Sequence, residues 1–158
     1  MSSNAVPSAW VRFLRAHAEL TRRMDAELRD KHGLGLRGYE VLLALADAPE
    51  RRMRRVDLAA KVLLTQGGVT RLLQPLERAG LVDRARSDAD ARVVYAELTD
   101  AGARRLSAAR RTHHDDVAAL FTARFSAEEL ETLDGLLARL PGAAGEGAWA
   151  DADQSTAG

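Results

Sequence analysis

The chain has 158 residues, a formal net charge of zero, 46% hydrophobic residues and only 4% aromatics, so one core built mainly from Leu, Val and Ala is within reach and helix is its natural form. It has no cysteine, which excludes disulfides, a thiolate zinc site and a cysteine redox switch. No apolar run approaches about 18 residues and residues 1–8 lack the basic and apolar pattern of a signal peptide, so the expectation is a cytoplasmic protein with no membrane contact.

Residues 1–8 are expected to be disordered. Trp10, Phe13, Leu14, His17, Leu20, Met24 and Leu28 recur at three- and four-residue steps, which predicts a helix over 9–31 with Gly33 as its C-terminal cap. A second helix is predicted over 37–46, burying Tyr39, Leu42, Leu43 and Leu45. Asp47, Ala48, Pro49 and Glu50 break it, and 53–55 has room for one short strand. A third helix over 56–62 carries Leu58, Ala59 and Val62. Thr65 is a good N-cap for a fourth over 66–79, which Gly80 stops. Residues 81–84 and 92–98 form the arms of a hairpin across a polar turn at 87–91, with Val94, Ala96 and Leu98 on one face. Thr99 caps a long fifth helix reaching about residue 124. Ser126 and Glu129 make a capping box for a sixth, with Leu130, Leu133, Leu136, Leu137 and Leu140 inside. Residues 141–158, rich in Gly, Ala and Asp, are expected to be a disordered tail.

This order predicts a mainly α fold with a small β-wing: a winged helix-turn-helix over 37–98, flanked by dimerisation helices at 9–36 and 99–140. The outer helices are too apolar to stand alone, and a second copy of the chain is their simplest cover, so a homodimer is expected. Charge is unevenly placed. Residues 51–95 hold ten basic side chains against five acids, a net +5, so the remainder carries −5. A basic module in an acidic chain is an electrostatic footprint for phosphate. In the motif itself, Leu58, Ala59 and Val62 form one apolar face and Val69, Leu72, Leu73 and Leu76 the other. Thr65 at the opening, then Gln66, Gly67, Gly68, Thr70, Arg71 and Gln74, are left pointing outward. Small, amide and cationic groups are what a helix needs at base edges in a major groove: Gln66 suits adenine, and Arg71 suits guanine or phosphate. Gly67 and Gly68 are poor helix formers, which points to close backbone approach. Two merely packed amphipathic helices are the bland alternative, and the basic hairpin that follows disfavours it.

Leu58-Ala59, Thr65-Gln66, Val69-Thr70-Arg71-Leu72 and Leu76-Glu77-Arg78-Ala79-Gly80-Leu81-Val82 are followed by Asp90-Ala91-Arg92 and Leu98-Thr99-Asp100-Ala101-Gly102. In that order these pieces resemble the MarR (multiple antibiotic resistance regulator) family, over about residues 9–140. Val56 stands where the family often opens the first motif helix with Ser or Thr, and Arg55 where an apolar strand residue is common. The resemblance implies a dimeric, sequence-specific regulator of transcription that binds double-stranded DNA at an imperfect palindrome, a repressor released by a small aromatic carboxylate or phenolic ligand. It implies wing-tip insertion of Arg92 into a minor groove, oriented by Asp90, and narrow A·T grooves do attract arginine. Arg84 and Arg86, on the first wing arm, fit phosphate.

The family's ligand crevice, between helical module and winged domain, implies Trp10, Arg15, His17, Tyr39 and His113 as candidates. Core packing competes for Trp10 and Tyr39, and a surface ion pair for Arg15. His113-His114-Asp115-Asp116 suggests metal, but neighbours on a helix point about 100° apart and do not chelate together. No metal ligand or cofactor is assigned. With no nucleophile–base set and no phosphate-cradling loop, the chain is not expected to be an enzyme. The alternative reading is a metal-responsive regulator, or a constitutive DNA-binding protein without an effector.

Overall fold

The computed structural model describes residues 5–62 and 64–143. In chain order it has α1 (Ala5–His32), α2 (Leu36–Ala46), a 3₁₀ turn (Pro49–Arg51), β1 (Arg52–Arg54), α3 (Arg55–Lys61), α4 (Gln66–Arg78), β2 (Val82–Arg86), β3 (Val94–Leu98), α5 (Asp100–Leu120), a second 3₁₀ turn (Thr122–Arg124) and α6 (Ala127–Leu137). The strands form one antiparallel sheet in the order β1–β3–β2. This is a mainly helical winged helix-turn-helix, as the sequence predicts. Of the segments expected to be disordered, residues 1–4 and 144–158 lie outside the described residues, while residues 5–8 are already the first turns of α1.

The hub of the core is α2, buried without interruption from Gly38 to Leu45. Met24 and Leu28 of α1 and Leu106 and Ala109 of α5 belong to the same core, together with Leu58, Ala59, Val69, Leu73 and Leu76 from the motif helices and Val82, Ala96 and Leu98 from the sheet. The first turn of α2 has no side-chain cap of its own, and Asp25 of α1 supplies one: its Oδ1 accepts from the Leu36 N–H at 2.9 Å. Along α1 the pairs Glu19–Arg23, Asp25–Arg29 and Glu27–Lys31 follow the i, i+4 spacing that supports an exposed helix.

The joint between wing and α5 is tight. Gly80, at φ +70°, turns the chain out of α4. Thr99 donates its hydroxyl to Gly80 O at 2.7 Å and its N–H to Leu81 O at 3.2 Å, and its Oγ1 accepts from Gly102 N at 3.0 Å. A Cβ at Gly102 would stand 2.1 Å from Leu81 O. The Leu98-Thr99-x-x-Gly102 stretch is therefore a clasp between two backbones.

Three expectations are corrected. The fifth helix ends at Leu120 rather than near residue 124, because Phe121 leaves helical space (φ −123°, ψ −71°). Beyond the helix end Phe121 and Phe125 meet in a ring contact, with centroids 5.5 Å apart. The sixth-helix leucines are not inside: no residue of α6 is buried, and Leu136 is 53% exposed. In α1 the same holds for Trp10 (60% exposed), Phe13 and Leu14, since neither face finds cover among the described residues. Finally, the return strand begins at Val94, which leaves Arg92 in the wing tip, and the first arm runs on to Arg86.

Candidate nucleic-acid interface

The fourth helix starts where Thr65 leaves extended backbone (φ −72°, ψ 159°) and its Oγ1 accepts from Gly68 N at 3.1 Å. Val69, Leu73 and Leu76 turn inward. Gln66, Gly67, Arg71 and Gln74 are exposed, and Gly68 and Thr70 half-buried. Thr70 donates its hydroxyl to Gln66 O at 3.0 Å, so that proton is committed within the helix. The two glycines differ. A Cβ at Gly68 would lie 3.3 Å from the Thr65 cap, whereas one at Gly67 would meet nothing within 4 Å. Among the described residues no packing requires glycine at 67.

The wing pairs Val82 with Leu98 through to Arg86 with Val94. Across its tip Ser87 N donates to Val93 O at 3.1 Å, and Ser87 Oγ accepts from Ala89 N at 3.2 Å. Asp90 Oδ1 accepts from the Arg92 backbone N–H at 2.9 Å. Asp90 thus shapes the tip through the backbone and leaves the Arg92 side chain exposed. Arg84 reaches Glu77 at 3.5 Å, and Glu77 also forms a salt bridge with Arg55. The glutamate of the Leu76-Glu77 stretch ties the end of α4 to both α3 and β2.

The arginines divide by their partners. Arg51 lies 3.4 Å from Asp100, Arg52 pairs with Glu50 at 2.6 Å, and Arg54 pairs with Asp57 at 2.7 Å. Among the described residues Arg71, Arg86 and Arg92 form no ion pair. Sequence reasoning passed over one feature: Arg54, Arg55 and Arg92 line a common hollow of about 250 Å³. It brings the start of α3 beside the wing tip. The run of arginines at 51–55 was the available signal, but only the fold puts it next to residue 92.

Of the ligand candidates, the structure joins two. Tyr39 is fully buried in α2, and its ring lies 5.1 Å from that of His113 on α5, which is also buried. Burial, then the neighbouring His114, lowers the His113 pKa to about 4, so its imidazole is neutral at physiological pH. Burial raises the Tyr39 pKa, against the effect of Arg110. Trp10, Arg15 and His17 stand on the exposed half of α1, with Trp10 stacked on Phe13 at 6.3 Å. The five candidates are therefore not gathered into one crevice within a single chain. Among the described residues no three His, Asp or Glu side chains are placed to hold a metal ion, and no helix is long and apolar enough to cross a membrane.

Residues 32–93 match the model of the MarR family. Over 108 residues the chain is 33% identical to the HTH-type transcriptional regulator YdgJ of Bacillus subtilis (strain 168), which covers 68% of this chain and 64% of that protein. The fold superposes on AbsC, a MarR family transcriptional regulator from Streptomyces coelicolor, with a TM-score of 0.79 and 27% identity, over 87% of this chain and 92% of that one. A second MarR family regulator from the same organism, crystallised in complex with DNA, gives a TM-score of 0.80 and 26% identity, over 86% of this chain and 85% of that one. The chain spans 59–64% of the length of three of its curated relatives.

Proposed function

The chain belongs to the MarR family, and from that premise we propose that it is a dimeric, sequence-specific DNA-binding regulator of transcription. One observation carries the reading. The outward face of α4 combines an open Gly67 with Gln66, Arg71 and Gln74, and Arg71, Arg86 and Arg92 are left without acidic partners among the described residues. Arginines bound to local acids would gain little from phosphate; unpaired ones release counterions when they meet it. That a similar regulator was crystallised with DNA supports the same reading.

The exposed apolar side chains of α1 and α6 are the proposed dimer contact. Two copies would set their α4 helices in successive major grooves about 34 Å apart, so the target is an imperfect palindrome. Gln66, Gly67, Gly68, Thr70, Arg71 and Gln74 would face bases, Thr65 would hold the helix start, and Arg86 and Arg92 would follow phosphates and minor groove, with Arg84, held at 3.5 Å to Glu77, the weaker phosphate contact. A small aromatic or phenolic anion is the proposed effector, releasing a repressor. Its support is the Tyr39–His113 ring pair, set where the reading head meets α5. Trp10, Arg15 and His17 lie on the half of α1 assigned to the dimer, so any share they take in that site is taken in the assembled dimer.

The test is selection of bound duplexes from a random pool, followed by titration of the recovered site. A palindromic site is expected, with Arg71→Ala costing about 1–3 kcal/mol on it and relaxing one base pair per half-site. Recovery of no common sequence, or equal losses on specific and random duplexes, would refute sequence-specific reading by α4.

A further inference from the structure

A second basic cavity lies away from this interface. An open cleft of about 600 Å³ lies between the last turn of α1, the turn from α4 into β2 and the first turns of α5. Its wall carries Lys31, His32, Arg104 and Arg105; the other positions are alanines and Leu81. Among the described residues no Asp or Glu and no Phe, Tyr or Trp lines it. The thirteen residues of α4 separate it from the Gln66 end of that helix by about 20 Å.

Two of the four basic groups are fixed. Arg105 Nη1 donates to the His32 carbonyl at 2.6 Å, and His32 Nε2 is hydrogen-bonded to Thr112 Oγ1 at 2.8 Å. The other two are arms at the rim. Lys31 is shared with Glu27 at 2.5 Å, and Arg104 is exposed with no ion pair among the described residues. Helix-end electrostatics explain only half of this set. Lys31 and His32 complement the negative C-terminal end of α1, but Arg104 and Arg105 stand near the positive end of α5, where cations gain nothing.

We propose that this cleft is a binding site for a compact, multiply charged phosphate anion, such as a diphosphate or a bisphosphorylated metabolite. Three permanent cations with no acid in the wall favour several negative charges on one small ligand. Guanidinium groups offer forked donors that match phosphate oxygens. The volume suits a small metabolite, and the described lining holds no Phe, Tyr or Trp, so charge rather than ring stacking dominates recognition. The site differs in place and chemistry from the Tyr39–His113 pair, and it stands whether or not the α4 face reads DNA.

The test is amide NMR of the intact, ¹⁵N-labelled chain titrated with inorganic pyrophosphate, fructose 1,6-bisphosphate or salicylate. Saturable shifts are expected at residues 31–33, 79–81 and 101–108 with either phosphate below about 1 mM, and not with salicylate. The tighter of the two phosphates tells a free inorganic ligand from an organic one. Arg104→Ala, an exposed change, should weaken that binding at least tenfold. Shifts confined to residues 66–74 and 84–92 would put the anion on the DNA face and overturn the proposal. No saturation, equal binding of salicylate at the same amides, or unaltered binding by Arg104→Ala would overturn it too.

Discussion

Replacing Gly67 with alanine separates what the fold needs from what a bound duplex needs. Glycine in a helix costs stability through the freedom of the unfolded chain, and alanine regains about 0.4–1 kcal/mol where the space allows it. The space is there, since among the described residues the added Cβ would have no heavy atom within 4 Å. For a chain of this length that gain is worth about 1–4 °C in melting temperature. On DNA the same methyl would project from the first turn of α4, between the exposed Gln66 and Arg71. A helix that had closed on base edges would have to withdraw or tilt, and a loss of about 1.4 kcal/mol, tenfold in affinity, is the expected minimum. Differential scanning calorimetry and fluorescence anisotropy on the palindromic site measure the two numbers on one preparation. A more stable variant that binds the site as wild type does would show that Gly67 is not at the duplex. A less stable one would show that the open space around it is filled.

Other consequences follow from particular contacts. Gly102→Ala sets a Cβ 2.1 Å from Leu81 O and 2.7 Å from Leu98 Cδ1; backbone cannot give way as a side chain can, so we expect a loss of about 3 kcal/mol in urea denaturation despite the better helix former, and an unchanged midpoint would contradict this. His113 is held neutral with a pKa near 4, below the 6.5 of an unfolded imidazole. Its contribution is therefore complete above about pH 6.5 and lost as pH falls toward 4, amounting to about 1–3 kcal/mol. His113→Leu should flatten the stability–pH curve in that window, and an unaltered slope would assign the acid sensitivity elsewhere. Leu136→Arg puts a charge on the exposed apolar face of α6, so light scattering at micromolar concentration should show a dimer for the wild type and monomers for the variant; a dimeric variant would move the proposed interface off α6.

Most of the architecture was legible because three local signals agreed. Thr65, Thr99 and Ser126 all cap helices as their residue types predict, Gly80 turns the chain at positive φ, and the apolar steps of Leu58, Val69, Leu73 and Leu76 all face inward. What periodicity does not say is what covers an apolar face. Trp10 and Leu136 carry the same pattern as Leu28 and Leu42 yet stay exposed, because burial depends on which elements pack alongside, and none of the described ones covers them. Nor does sequence distance give spatial neighbours. Arg54 and Arg92 share a hollow across 38 positions, Asp25 caps a helix from outside it, and Lys31 meets Arg104 only through the packing of α1 on α5. Helix termination at Phe121 was equally hidden, since no Gly or Pro marks it.

The Thr99–Gly102 clasp also decides how force would pass through the molecule. With Leu81 backbone pressed on Gly102 and three hydrogen bonds across Thr99, the wing and the first turn of α5 have no slack between them. Block and helix then swing as one lever, whose arm is the twenty-one residues of α5, about 30 Å. The natural choice of pivot is the far end, where Phe121 already leaves helical geometry. A tilt of about 4° about that pivot carries the base of the wing through about 2 Å, close to the whole difference between a hydrogen bond to a base edge and none. Small adjustments among the C-terminal helices would in this way be geared up before they reach the face proposed to meet a duplex.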